Sequence, residues 1–125
     1  MLKSVIAVGT GSCIGGILRY LISLYSANIT ATVFPTGTLV VNVTGCFTIG
    51  LISGIAERSG LASPEVKLFL TVGLCGGFTT FSTFMNEVFR MVRDGYTAMF
   101  LVYITASIAG GYILLFAGHA AAKLL

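Results

Sequence analysis

From Gly37 to Ala56, and again from Tyr96 to Ala117, this chain carries no charged residue, and from Ser4 to Tyr25 it carries only Arg19. Each run is close to the roughly 20 apolar residues that cross a bilayer as a helix. A further run, residues 65 to 92, is longer and keeps its charges near its two ends, as Glu65, Lys67, Glu87 and Arg90. Such runs cannot cover a water-facing surface. Of 125 residues only 9% are charged, against about 25% in a soluble domain. The chain therefore reads as one integral membrane domain, residues 1–125, all-α, with spans at about 4–25, 37–56, 65–92 and 96–117.

Several classes fall away at once. The net charge of +3 is dispersed and forms no basic cluster, so no nucleic-acid partner is expected. Cys13, Cys46 and Cys75 lie inside apolar runs, are odd in number and lack a CxxC spacing. They read as small apolar packers, not as a disulfide framework or metal site. His119 reads as an interfacial side chain. Lys3 followed by apolar residues resembles a signal peptide, but the run continues past Cys13 to Leu24, too long for one.

The third run is the unusual one. Gly73, Gly76 and Gly77 interrupt it, and Thr79-Thr80-Phe81-Ser82-Thr83-Phe84 follows. Glycines and hydroxyls at membrane depth predict a discontinuous helix, whose free N–H and C=O groups must be buried by protein or line a cavity. An ordinary glycine-rich packing face is the alternative. Elsewhere Gly11 with Gly15, and Gly50 with Gly54, are GxxxG pairs that allow close helix approach. Ser63 and Pro64 predict the capped start of the third helix.

Polar residues inside the spans each admit two readings. Arg19 either snorkels or meets a helix end, or else attracts anions. Asn42 either bonds to a neighbouring helix or lines a pore. Tyr103 and Ser107, four apart, share a face that either bonds to a neighbouring helix or lines a pathway. Glu87, Arg90, Arg93 and Asp94 read as a solvated, partly paired helix end, with Glu87/Arg90 and Arg90/Asp94 at helical neighbour spacings and a vestibule role open for Glu87.

The charges also bear on orientation. Lys3, Arg58, Lys67 and Lys123 fall on one side, and Arg90 and Arg93 on the other, with Arg19 near them. The positive-inside bias is therefore weak, and a chain inserting both ways could pair with an inverted copy of itself.

No catalytic motif, metal-ligand cluster or mid-membrane carboxylate is present, so an enzyme, a proton-coupled exporter and an acid-lined cation pore are all disfavoured. Donors remain: the hydroxyls of Thr79, Thr80, Ser82 and Thr83, the Asn42 amide and the Arg19 cation. Phe81 and Phe84 could add the positive edges of their rings. Together these groups suit a small, partly dehydrated anion.

At this point the chain resembles a family. Gly15-x3-Arg19-Tyr20, Asn42-x2-Gly45 and above all Gly73-x2-Gly76-Gly77-Phe78-Thr79-Thr80-Phe81-Ser82-Thr83-Phe84 look like the CrcB/Fluc fluoride channels. The resemblance implies a passive fluoride exporter of the prokaryotic inner membrane, an antiparallel dual-topology homodimer with two pores surrounded by membrane lipid. By it, Phe81 and Phe84 would be ring-edge fluoride ligands, with Asn42, Ser82, Thr83, Tyr103 and Ser107 as polar pore residues. Backbone carbonyls of Gly76 and Thr79 would hold a central structural Na⁺. Arg19 and Glu87 would be vestibular or structural charges. Gly111 stands where some members would place a further hydroxyl. A small multidrug-type proton-coupled exporter and a non-transporting assembly factor are the competing readings.

Overall fold

The computed structural model describes residues 1–30, 32–59 and 63–124. Its elements run α1 (Leu2–Ile29), α2 (Thr36–Ser59), α3 (Pro64–Leu68), a π-helical stretch (Phe69–Cys75), α4 (Gly76–Phe78), α5 (Phe81–Arg93), α6 (Thr97–Ala121) and a short 3₁₀ turn (Ala122–Leu124). Four stretches are long and apolar enough to cross a membrane: Leu2–Ile29, Thr36–Arg58, Pro64–Arg93 and Thr97–Leu124. The chain is a multi-pass, all-helical membrane protein.

The helices outrun the spans expected from sequence. The 28 residues of α1, at about 1.5 Å each, exceed the roughly 30 Å hydrocarbon core. Its last turn, around Ser26, is polar and continues helically beyond the apolar run. There Thr30 Oγ1 donates to the Ser26 carbonyl at 2.7 Å and lies 2.9 Å from Thr36 Oγ1, itself 2.7 Å from Ser26 Oγ. This hydroxyl knot closes the turn from α1 into α2. At the next turn the Ser63 hydroxyl accepts from the Val66 amide with Pro64 at the first helical position, as the sequence predicts. The polar turn expected over Ser59–Pro64 otherwise falls mostly on residues 60–62, outside those described.

Glycines set the packing. A side chain at Gly11 would place its Cβ 2.9 Å from the Gly73 Cα, and one at Gly77 would lie 2.6 Å from the Ser12 carbonyl oxygen. Gly15 abuts Leu74 and Phe78. These contacts advance together along both segments, so α1 runs parallel to the π-helical stretch and α4. On the other side Gly50 abuts Leu115, and Gly54 faces His119 and Ala122, so α2 runs parallel to α6. Among the described residues α2 and α6 make the most extensive contact of any two elements. Where lipid removes the hydrophobic drive between helices, such close backbone approach is what remains to hold them.

The two parallel pairs meet where Gly37 packs on Ser23 and Ser26, and where Phe84, Val88 and Met91 of α5 reach Tyr103 of α6. At the far end of the α2–α6 seam Arg58 donates to the Ala122 carbonyl at 2.9 Å, and His119 lies 3.5 Å from Glu57. Gly77→Ala is expected to destabilise the folded chain by about 1–3 kcal/mol, because its Cβ meets backbone that cannot yield. Gly9→Ala, with nothing within 4 Å, should leave unfolding in detergent unchanged.

Candidate functional site

Between α4 and α5 two residues leave the helix. Thr79 has φ −82° and ψ 159°, and Thr80 φ −150° and ψ 117°. Their main-chain groups need partners that a helix no longer provides. The Thr79 amide donates to the Cys75 carbonyl at 2.9 Å, and its hydroxyl donates to the same oxygen at 2.9 Å. Asn42 of α2 serves Thr80 on both sides: its Oδ1 accepts from the Thr80 amide at 2.8 Å, and its Nδ2 donates to the Thr80 carbonyl at 3.0 Å. Gly45, one turn on, lets α2 come this close, since any side chain there would run into Thr79.

Thr80 then starts α5. Its hydroxyl accepts from the Thr83 amide at 3.2 Å and donates to Thr83 Oγ1 at 3.0 Å, with Ser82 Oγ 3.4 Å away. Three hydroxyls thus gather at a helix N-terminus, the end with positive partial charge. Beside them lies a cavity of about 350 Å³ lined by Asn42, Cys46, Gly76, Thr79, Thr80 and Phe81, among others.

The rings form a row. Phe81 and Phe84 have centroids 6.1 Å apart, Phe84 and Tyr103 5.1 Å, and Phe34 meets Tyr103 edge-on at 5.4 Å. Phe84 is 9% exposed and Tyr103 0%, but Phe81 is 75% exposed.

The row ends at a carboxylate. Glu87 Oε1 accepts from the Thr38 hydroxyl at 2.8 Å, and Oε2 from the Tyr103 hydroxyl at 2.7 Å. Bonds of this kind to a charged acceptor are roughly twice as strong as neutral ones. Glu87 also lines a second cavity, of about 570 Å³, with Ser23, Ser26, Thr36, Arg90 and Asp94 among its walls. At its rim Arg93 Nε meets Asp94 Oδ1 at 2.7 Å. This hydrogen bond holds the exposed Asp94 carboxyl below the usual range.

A protein-family model described as "CrcB-like protein, Camphor Resistance (CrcB)" matches residues 6–119. The chain belongs to the CrcB family. It is 45% identical over 121 residues to a protein of Chlorobium phaeobacteroides (strain BS1) named fluoride-specific ion channel FluC, covering 97% of this chain and 94% of that protein. A protein of Chlorobaculum tepidum with the same name is 45% identical over 124 residues, 99% of this chain and 98% of its own. One from Leptospira interrogans, again so named, is 43% identical over 116 residues, 93% and 91%.

Within this CrcB chain the residues singled out from sequence fall into distinct places. Asn42, Gly76, Thr79 and Phe81 share the smaller cavity, with Ser82 and Thr83 joined to it through Thr80. Tyr103 lies apart from that cavity and spends its hydroxyl on Glu87. The Ser107 hydroxyl is buried with no hydrogen-bond partner, and so is Arg19 Nε. Arg19 follows Gly15 by one turn on α1, beyond the contact with Phe78.

Two expectations need correction. Among the described residues no ion pair joins Glu87 to Arg90; two hydroxyls hold Glu87 instead. Asp94 pairs with the adjacent Arg93, not Arg90. Sequence reasoning also missed Thr38 and Phe34. Thr38 had a signal, since it precedes Asn42 by one helical turn on the same face.

Replacing Asn42 with Ala strands both the amide and the carbonyl of Thr80. The expected loss is about 1–3 kcal/mol per stranded group, read as a lower unfolding midpoint in detergent.

Proposed function

We propose that this chain is a fluoride-selective channel that lets fluoride leave the cell passively through a prokaryotic inner membrane, limiting its toxicity. The observation that carries this reading is the match, end to end and at up to 45% identity, to proteins named fluoride-specific ion channels. The site chemistry agrees with it. Fluoride is small and strongly hydrated, so a pathway must offer donors in place of water. Here the hydroxyls of Thr80, Ser82 and Thr83 cluster at the N-terminus of α5, the helix that carries Phe81 and Phe84.

In this reading the two extended residues, Thr79 and Thr80, make the third span a broken helix. Two copies associate antiparallel as a dual-topology homodimer with two pores. Phe81, exposed in the single chain, meets the partner, while Phe84 works from within its own subunit. Asn42 holds the break and turns its remaining N–H toward the path, and Ser107 supplies an unspent hydroxyl further along. Arg19 and the start of α5 offset the cost of an anion at depth, and Glu87 marks the far end of the donor row.

A structural Na⁺ fits the break. Carbonyls at an interrupted helix suit such a cation, and Gly76 leaves its backbone open to the smaller cavity, since a Cβ there would meet only the Thr71 oxygen, at 3.8 Å. The carbonyls of Gly76 and Thr79 would hold the ion, which when bound supplies a fixed positive charge and a link between two copies.

Proteoliposomes containing the chain should release fluoride electrically while retaining chloride. Phe81→Ile should slow fluoride release by about fivefold, the scale set by one aromatic contact of about 1 kcal/mol; unchanged release would remove Phe81 from the path. Exchanging Na⁺ for a large organic cation should shift purified protein from dimer to monomer by sedimentation, and an unaltered profile would count against the Na⁺ site.

A further inference from the structure

The seam between α2 and α6 holds one register along its length. Gly50 abuts Leu115, Gly54 faces His119, and a Cβ added at Gly111 would lie 3.3 Å from Cys46 Sγ. Stepping back by one turn along both parallel helices, the same register sets Asn42 level with Ser107 and Thr38 level with Tyr103. The last pairing is visible directly, because Thr38 and Tyr103 grip the same Glu87 carboxylate. Two rows at four-residue spacing therefore run side by side: Thr38, Asn42 and Cys46 on α2, and Tyr103, Ser107 and Gly111 on α6.

Read as rungs, the pairs differ in what they leave free. Thr38 and Tyr103 give both hydroxyls to Glu87. At the next level Asn42 holds Thr80, but the Ser107 hydroxyl is buried without a partner, an arrangement that costs free energy unless something else meets it. At the third level α6 has no side chain at all. The group in that space is the Cys46 thiol, half-buried, on the wall of the 350 Å³ cavity with Asn42, Thr79 and Phe81. A thiol is a weak hydrogen-bond donor.

We infer that Cys46 is a further donor on the anion path of this chain, its S–H taking the place that Gly111 leaves empty one turn beyond Ser107. The inference rests on the channel reading above and assigns a residue to it. Cys46 is then more than the apolar packer its surroundings in the sequence suggest. Cys75 also lines the cavity, but it lies on the π-helical stretch, outside both rows, and Cys13 faces outward on α1.

Fluoride release from proteoliposomes of the full chain tests this, with the thermal midpoint in detergent followed alongside. Cys46→Val keeps the volume and removes the donor; it should slow fluoride release by about fivefold, the worth of one hydrogen bond, with little change in midpoint. Cys46→Ala should slow it similarly. Adding Gly111→Ser to Cys46→Ala should restore release to within about twofold, because it returns a donor to the same space. The register admits that serine, since the Cys46 sulfur is what a Cβ at Gly111 would meet.

Cys46→Val releasing fluoride at the unmodified rate would overturn the inference, as would a double variant no faster than Cys46→Ala. Those results leave the channel reading intact. An unmodified chain that released no fluoride would overturn both.

Discussion

The polar cluster at the start of α5 depends on how Thr80 is held. A main chain that leaves the helix inside a membrane loses hydrogen bonds that no solvent replaces, at about 1–3 kcal/mol for each group left bare. The Asn42 side chain meets both groups of Thr80 with bonds of 2.8 and 3.0 Å. Its amide acts much as a neighbouring strand would. Because the donor sits on α2, the extended residues are also pinned against another span. The direction of α5 follows, and with it the positions of Phe81, Phe84 and Glu87. Thr80 then uses its own hydroxyl to begin the new helix, so one short segment both ends one helical run and starts the next.

The glycine contacts supply the frame that this clamp needs. Asn42 reaches Thr80 only because Gly45 admits Thr79, and the third span stays beside α1 because Gly11, Gly15, Gly73 and Gly77 leave no side chains between the backbones. On the other seam, Gly50, Gly54, Gly111 and Gly118 do the same for α2 and α6. Close approach has a second effect. It fixes register, so that residues far apart in the chain, such as Thr38 and Tyr103, arrive at one carboxylate.

Much of this was legible in the sequence. Four long runs nearly free of charge could only be membrane spans, and the GxxxG pairs marked the faces that pack. The cap at Ser63 was written in two residues. What escaped was whatever depends on register between helices. The hold of Thr38 on Glu87 spans 49 residues of chain, and no spacing rule reaches that far. Charge spacing on one helix suggested Arg90 as a partner for Glu87, yet buried hydroxyls facing it from α2 and α6 were nearer. The helices outrun the apolar runs for another reason: at the end of α1 the Thr30 hydroxyl donates back to the Ser26 carbonyl, and beyond α6 the Ala122 carbonyl accepts from Arg58 of α2. The π-helical stretch over Phe69–Cys75 had no signal beyond its glycine.

Phe81 and Phe84 show why a single chain is only part of the proposed pathway. Three residues apart on α5, they have opposite surroundings: Phe84 is packed against Tyr103, and Phe81 is 75% exposed. An anion leaving water needs positive groups on more than one side, because each lost hydration contact must be replaced. One chain offers Phe84 and the hydroxyl cluster on one flank, and turns Phe81 away. On the proposed reading the opposite flank belongs to an inverted copy, whose own Phe81 faces inward there. The weak charge bias of the chain permits that arrangement, since lipid-embedded copies must insert both ways before they can meet. On that reading a polar path half built in each subunit also explains how so few donors, on a chain of four spans, can be enough.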